Sequence, residues 1–440
     1  MINIFDDIDL AFNKLFSRRE HLHAYPDHIL RGVEEIFGLG VSPEDAVAKV
    51  LSDVKNNGDR SLEHWSKKID GIFPDPLIIE SKYLSENFDN ISDKLRSALI
   101  LASERIRNFH ALQPNSGWDT KDLGGVMGQR IVPLDRVGIY VPGGTASLPS
   151  SLLMAAIPAQ VANVKEIVVC TPPQNEKMVV DVVQATAHML GINEIYQLGG
   201  AQAIAAMAYG TETIRPVDKI VGPGNLFVTL AKSQVFGNVG IDGLYGPTET
   251  IIISDDSMNP DWIAADLLAQ AEHDPLATSI LITTSCDLAN SVKDSVIKRA
   301  QDLKRKDIIQ QSFANRGGIL IVPEIETAIN IVNQYAPEHL CLYLHDAEKW
   351  SEKIFNAGCL FIGKYSCEVL VDYVAGPNHV LPTGGTAKFA SPLNVSDFTK
   401  IMNVVTLDQN LSKALAESAA EIAFSELLDG HAYASLDRKE

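Results

Sequence analysis

Between residues 137 and 235 the chain runs four times from an apolar stretch through a turn into a helix-forming stretch. Gly138-Ile139-Tyr140-Val141-Pro142 enters Gly143-Gly144, and small residues follow from Ser151 to Ala162. Glu166 to Cys170 is stopped by Thr171-Pro172-Pro173, ahead of a helical pattern over 178–190. Glu194 to Leu198 enters Gly199-Gly200 and a helix over 201–209, and Val217 to Val221 enters Gly222-Pro223-Gly224-Asn225 and a helix over 226–235. Units of this kind have one economical solution, a parallel sheet wound with helices. Ligands in such sheets sit outside the carboxyl ends of the strands, where these turns fall.

A second α/β texture covers about 250 to 390, with strand candidates at 251–253, 279–282, 318–322 and 360–362. Before the first texture, residues 28–112 carry mostly helical spacing, and Trp118 to Leu134 reads as a β ribbon with glycines at 124, 125 and 128. Residues 1 to about 25 read as a helical arm broken at Tyr25-Pro26, and 394–440 as mainly helical.

Composition narrows the function. The 440 residues are 46% hydrophobic and 21% charged, enough material for more than one domain with packed cores. A net charge of −19 argues against a nucleic-acid backbone or an anionic membrane as partner. Five scattered cysteines without zinc-finger spacing suit reduced thiols in a cytoplasmic setting. The acidic start, Met1-Ile2-Asn3-Ile4-Phe5-Asp6-Asp7, lacks the pattern of a signal peptide, and Pro158 interrupts the longest apolar run.

The chemistry concentrates in a few short runs. In Ala336-Pro337-Glu338-His339, Pro337 restricts both itself and the residue before it, so an acid and an imidazole start a stiffly entered segment. Their side chains then aim in different directions, which suits two separate proton transfers. Gln270 and His273 lie three apart on a helix begun by Asn259-Pro260-Asp261, so they share a face. They could supply two metal ligands or two surface and capping groups; glutamine is an uncommon zinc ligand. Asp372 and His379 flank the tight Gly376-Pro377 loop, where functional groups and ordinary turn chemistry both occur. No glycine loop matches the dinucleotide fingerprint Gly-x-Gly-x-x-Gly.

Taken together, these motifs resemble the histidinol dehydrogenase family over nearly the whole chain. The resemblance rests on 138–147, 199–206, 221–225, 266–274, 336–340 and 372–383. It implies two Rossmann-like parallel-sheet domains with helical terminal segments: 26–136 plus 249–393 with most of the metal and catalytic site, 137–248 with the cofactor-side glycine loops, 1–25 as an arm and 394–440 as a dimerisation segment. It implies Zn²⁺ held by Gln270, His273, Asp372 and His431, the last from the partner subunit of a homodimer. It assigns catalysis to Glu338 and His339, NAD contacts to Tyr140, Gln202 and Asn225, and substrate-side positions to Thr248, His379 and Glu426, alongside His339 and the zinc ligands.

The implied reaction takes L-histidinol to L-histidine through bound histidinal, reducing two NAD. His339 would take the hydroxyl proton, Glu338 would activate the water that adds to the aldehyde, and His339 would accept the second proton. Four positions depart from the family pattern: Thr248 stands for the usual serine, Leu427 for glycine in the Glu426-Leu427-Leu428 run, Val371 for the glycine before Asp372, and Pro392 for a common glycine. They keep a second substrate class in view, another small polar alcohol on the same fold.

Overall fold

A computed structural model describes residues 2–16, 25–143, 148–173, 179 and 181–439. The first half carries strands β1 (Ile4–Phe5), β2 (Trp118–Thr120), β3 (Val126–Pro133), β4 (Arg136–Tyr140), β5 (Glu166–Thr171), β6 (Glu194–Gln197), β7 (Lys219–Val221) and β8 (Gly240–Ile241). The second half adds β9 (Glu249–Ser254), β10 (Thr278–Thr283), β11 (Gly317–Ile321), β12 (His339–Tyr343), β13 (Cys359–Ile362) and β14 (Thr399–Thr406).

These strands make two parallel sheets and one antiparallel ribbon. The first sheet runs β6-β5-β4-β7-β8 and the second β1-β11-β10-β9-β12-β13. With β1 set aside, both have the same order relative to the chain: the first strand is central, the next two add on one side and the last two on the other. The likeness of texture between the halves is therefore a likeness of topology. Helices cover both faces of each sheet, which explains why β4, β9, β10 and β12 are buried along their entire length and carry apolar centres instead of an alternating pattern.

The helices before residue 112 pack on the first sheet. Val47, Val50 and Leu62 share one buried cluster with Val168 and Ile220, and Leu84, Leu99 and Ile106 share another with Val137 and Ile139. Residues expected to go with the 249–393 sheet thus share their core with the 137–248 strands. At the N-terminus, Ile4–Phe5 pairs with β11 as an edge strand, ahead of a short helix at Ile8–Ala11, and residues 17–24 of the expected arm lie outside the described residues. The C-terminal stretch is mainly helical, as read, but includes a strand. Thr399–Thr406 is extended because it finds a ready edge in β3, pairing Ile401 with Ile131 and Val405 with Met127.

That C-terminal piece buries little of its own apolar surface. Its helices, Gln409–Ser425 and Asp429–Leu436, share a cluster built on Ala420, Ala423 and Ala432, while Leu427, Ile422 and Val405 stay exposed. No helix among the described residues is long and apolar enough to cross a membrane.

Gly222 closes β7 against β4. Its φ is +109°, and a Cβ there would stand 2.2 Å from the Tyr140 carbonyl oxygen. Both facts oppose any side chain. Gly222→Ala should destabilise the fold by roughly 2–4 kcal/mol, read as a lower denaturant midpoint; an unchanged midpoint would refute the close approach of these strands.

Candidate active site

The helix Ile325–Tyr335 ends at Ala336, which takes a left-handed conformation with φ +55° ahead of Pro337. A non-glycine residue there costs about 1–2 kcal/mol. The strain is held because β12 begins two residues beyond Pro337 and its ladder is already committed. His339 pairs in register with Thr250 on β9 and with Cys359 on β13. The amides of Gly358 and Cys359 donate to the Pro337 and Glu338 carbonyls at 2.9 and 2.8 Å. A Cβ on Gly358 would lie 2.6 Å from the Glu338 carbonyl oxygen, so the pair is gripped on both sides.

Glu338 is buried and held by the start of β9. The Thr248 hydroxyl donates to Glu338 Oε2 at 2.6 Å, and the Glu249 N–H donates to the same oxygen at 2.9 Å. Gln270 in turn donates its amide to the Thr248 hydroxyl. His339 places Nδ1 3.3 Å from the Glu249 carbonyl oxygen and 3.6 Å from Glu338 Oε2. The Gln270 amide nitrogen lies 3.4 Å from the same Nδ1, but that amide already donates to Thr248, and two acceptors, the Glu249 carbonyl and Glu338, face Nδ1, so the assigned tautomer carries its proton there. Nε2 is then a bare acceptor, buried, without a hydrogen-bond partner among the described residues and 3.9 Å from Asp372 Oδ1.

The other walls come from three segments. The helix Pro260–Ala271, capped by the Asn259 side chain at 2.9 Å, carries Gln270, and the turn after it carries His273. Asp372 sits in a widened helical turn, Val371–Ala375, whose last carbonyls receive two N–H bonds from the Arg105 guanidinium at 2.9 and 3.0 Å. His379 turns back so that its Nδ1 lies 2.8 Å from the Asp372 carbonyl oxygen. Asn378 pins this return by donating to the Met154 carbonyl at 2.6 Å.

A cavity of about 230 Å³ joins these groups. Thr248, Gln270, His273, Glu338, His339, Asp372 and His379 all line it, so most of the residues singled out in the sequence meet in one place. Leu148, Ser150 and Ser151, at the start of the helix that follows β4, and Pro223, from the turn beyond β7, also line the cavity. The carboxyl edge of the first sheet thus confronts the amino edge of the second. The carboxyl-end rule locates only half of the site, because Glu338 and Thr248 precede their strands.

The remaining residues lie elsewhere. Glu426 and His431 are exposed on the C-terminal piece and do not line the cavity. Asn225 caps the helix Leu226–Val235 with a side-chain bond to the Val228 N–H at 3.1 Å. Tyr140 accepts the Gly200 N–H at 3.2 Å, and Gln202 donates to Asp70 at 2.8 Å while its Oε1 stays buried without a hydrogen-bond partner. These three stand along the carboxyl edge of the first sheet, beside the cavity rather than in it. Residues 144–147, 174–178 and 180 lie outside the described residues.

Charge in the cavity is organised by burial. Burial raises the Glu338 carboxyl, with His339, Thr248 and the Glu249 N–H pulling it partly back. Burial alone would lower His339; the carboxylates of Glu338, Glu368 and Asp372 outweigh it and raise the ring. The surrounding protein lowers His273 and His379 instead, favouring neutral imidazoles.

The family model for histidinol dehydrogenase matches residues 41–439. The chain belongs to the histidinol dehydrogenase family. It is 46% identical over 428 residues to the histidinol dehydrogenase of Dehalococcoides mccartyi strain CBDB1, covering 97% of this chain and 98% of that one. It is 46% identical over 391 residues to that of Acinetobacter baylyi, covering 88% and 90%. The crystal structure of histidinol dehydrogenase from Elizabethkingia anophelis superposes with a TM-score of 0.90 at 34% identity, over 99% of this chain and 98% of that one. An acetylating aldehyde dehydrogenase from Geobacillus thermoglucosidasius, at 12% identity and a TM-score of 0.50 over 86% and 96%, shares the fold alone. As a member of the histidinol dehydrogenase family, the chain is an oxidoreductase.

Sequence reading missed Glu368. It is buried behind β9 and β12 in this family member, accepting bonds from the Thr250 hydroxyl at 2.9 Å and the Cys341 thiol at 3.2 Å. Cys367-Glu368-Val369-Leu370 reads as an ordinary helix start; only its position four residues before Asp372 links it to the site. Burial pushes its pKa from 4.5 up to about 7. The folded state therefore holds a proton that the unfolded state releases, and this group's contribution falls as pH rises from 4.5 to about 7. Glu368→Gln should gain roughly 1–3 kcal/mol on the parent between pH 5 and 8, measured by denaturant titration at both pH values; an identical pH response would contradict the buried placement.

Proposed function

We propose that this chain oxidises L-histidinol to L-histidine, reducing two NAD, with Zn²⁺ in a site completed by a second copy of the chain. One observation carries the reading: the bare Nε2 of His339 faces a cavity that also presents Gln270, His273 and Asp372. A base must lose its own proton and stay dry; the three carboxylates raise His339, so its ring is bare only above the ordinary imidazole range, and its Nε2 is buried.

The residues fit the metal. Gln270, His273 and Asp372 offer amide, imidazole and carboxylate donors on one cavity, and the lowered pKa of His273 keeps its ring available as a ligand. Among the described residues no three of His, Cys, Asp or Glu form a group that could hold an ion. In the proposed set one ligand is a glutamine and another, His431, comes from a second copy. Zinc, when bound, supplies a fixed positive template for the imidazole and amine of the substrate. NAD, when bound along the carboxyl edge of the first sheet near Tyr140, Gln202 and Asn225, supplies the hydride acceptor for both oxidations. The orphaned Gln202 Oε1 and the crevice between β4 and β7 support that placement.

Proton handling falls to the pair. His339 Nε2 takes the hydroxyl proton as the alcohol is oxidised. His339 then passes that proton to solvent, Glu338 takes a proton from the water that adds to the aldehyde, and the deprotonated His339 accepts the hydroxyl proton of the hydrate as the acid forms. Thr248 and His379 orient the substrate, with Glu426 brought to the cavity, like His431, by the second copy, and keeping the aldehyde enclosed prevents its loss. The exposed apolar face of 394–440 is the dimerisation surface in this scheme, and the enzyme works in the cytoplasm. A second reading, another small polar alcohol as substrate, draws on Thr248: its hydroxyl is engaged by Glu338 and Gln270 and its methyl narrows the cavity.

Purified enzyme should form NADH and consume histidinol in a ratio of about 2 to 1. Turnover should rise with pH beyond the ordinary imidazole value of 6.5, because the raised His339 must lose its proton to act. A ratio of one with free aldehyde, or another alcohol turned over well ahead of histidinol, would reject the substrate assignment. His339→Asn should lower kcat by roughly 10²–10⁴ while metal content stays constant. Mixing inactive His339→Asn and His431→Ala subunits after dissociation should restore about a quarter of parental activity through heterodimers with one complete site. No recovery would show that each chain supplies its own His431.

A further inference from the structure

Behind the cavity lies a buried ion pair that none of the proposed chemistry uses. Lys232 and Asp242 have side chains only 2% and 0% exposed, and they contact each other directly. Together they hold both backbone groups of one residue. Lys232 Nζ donates to the Gly222 carbonyl at 2.9 Å, and the Gly222 N–H donates to Asp242 Oδ2 at 2.7 Å. The other Asp242 oxygen accepts the Gly243 N–H at 2.8 Å.

The pair also reaches the substrate side. Lys232 Nζ sits 5.0 Å from the centre of the Tyr245 ring, and Thr229, one turn earlier on the same helix, donates to the Tyr245 carbonyl at 3.3 Å. Pro223, next to Gly222, and Tyr245 both line the cavity. Tyr245 leads through Gly246, whose N–H donates to the Thr383 hydroxyl at 2.7 Å, to Thr248. One charged contact therefore ties the turn after β7, at the carboxyl edge of the first sheet, to the segment that delivers Thr248 and its partner Glu338.

We propose that Lys232 and Asp242 are positioning residues for the oxidation, setting the cofactor-side wall at Gly222-Pro223 and the substrate-side wall at Tyr245-Gly246 in one fixed relation. An apolar pair of similar volume would stabilise a protein core as well or better. Such a pair could not hold an N–H and a C=O of the same glycine at once. Hydride transfer needs donor and acceptor carbons aligned, and small displacements of either wall reduce the rate without removing any group that touches the substrate.

The inference rests on the proposed reaction, so the test reads geometry and turnover separately. Zinc-loaded parent, Lys232→Met and Lys232→Gln are compared by amide hydrogen exchange over 219–226 and 242–247, and by kinetics with histidinol and NAD. In Lys232→Met both segments should exchange faster together. Its kcat should fall by about 10–100-fold, with metal content and the KM for histidinol within about threefold of the parent. Lys232→Gln, which restores a donor without charge, should recover part of both; it carries the same measurements if Lys232→Met does not fold. Parental exchange in either segment, or a kcat within about twofold of the parent in a folded variant, overturns the proposal. A parent that forms no NADH from histidinol would instead reject the reaction, and the exchange data would still decide whether the pair holds both walls.

Discussion

The parallel pairing of β9 with β12 is the contact on which the site depends. It sets His339 opposite Thr250, and with that register Thr248, Glu249 and Glu338 converge just before the two strands begin. A slip of one residue would send the imidazole to the other face of the sheet. The strands are buried on both sides, so such a slip would also place a histidine in the apolar core and expose a leucine to the cavity. Catalytic geometry and core packing are thus secured by the same ladder.

The two sheets share one topology but present opposite ends to the cavity. The first contributes the turns beyond its strands, as doubly wound sheets commonly do. The second contributes the segments ahead of its strands, where Pro337 and the left-handed Ala336 stiffen the approach. Burial then tunes the groups: carboxyls rise, His339 rises because three carboxylates surround it, and His273 and His379 fall because desolvation dominates there. One cavity in this way lowers two imidazoles and raises a third, the split that the proposed ligand and base roles require.

Much of this was readable in the chain. The strand–turn–helix units, the ribbon near residue 120 and the helix starting at Asn259 follow from local patterns, and the structure has them. The β14 strand was not readable, because Thr399–Thr406 is extended only through its pairing with β3. Nor was the packing of the early helices on the 137–248 strands, since an amphipathic helix advertises an apolar face but not which sheet receives it. Glu368 left no local signal, and the spacing of Gln270 and His273 was equally consistent with surface roles.

The sequence by itself determined the kind of sheet, the stiff entry to Glu338-His339 and the family, because these depend on short-range sterics and on motifs kept in order along the chain. The tertiary structure alone decided that the carboxyl edge of one sheet faces the amino edge of the other, that a lysine and an aspartate meet behind that junction, and that His431 lies away from the cavity of its own chain. Those facts depend on contacts between residues far apart in sequence, and no local preference encodes where such residues meet.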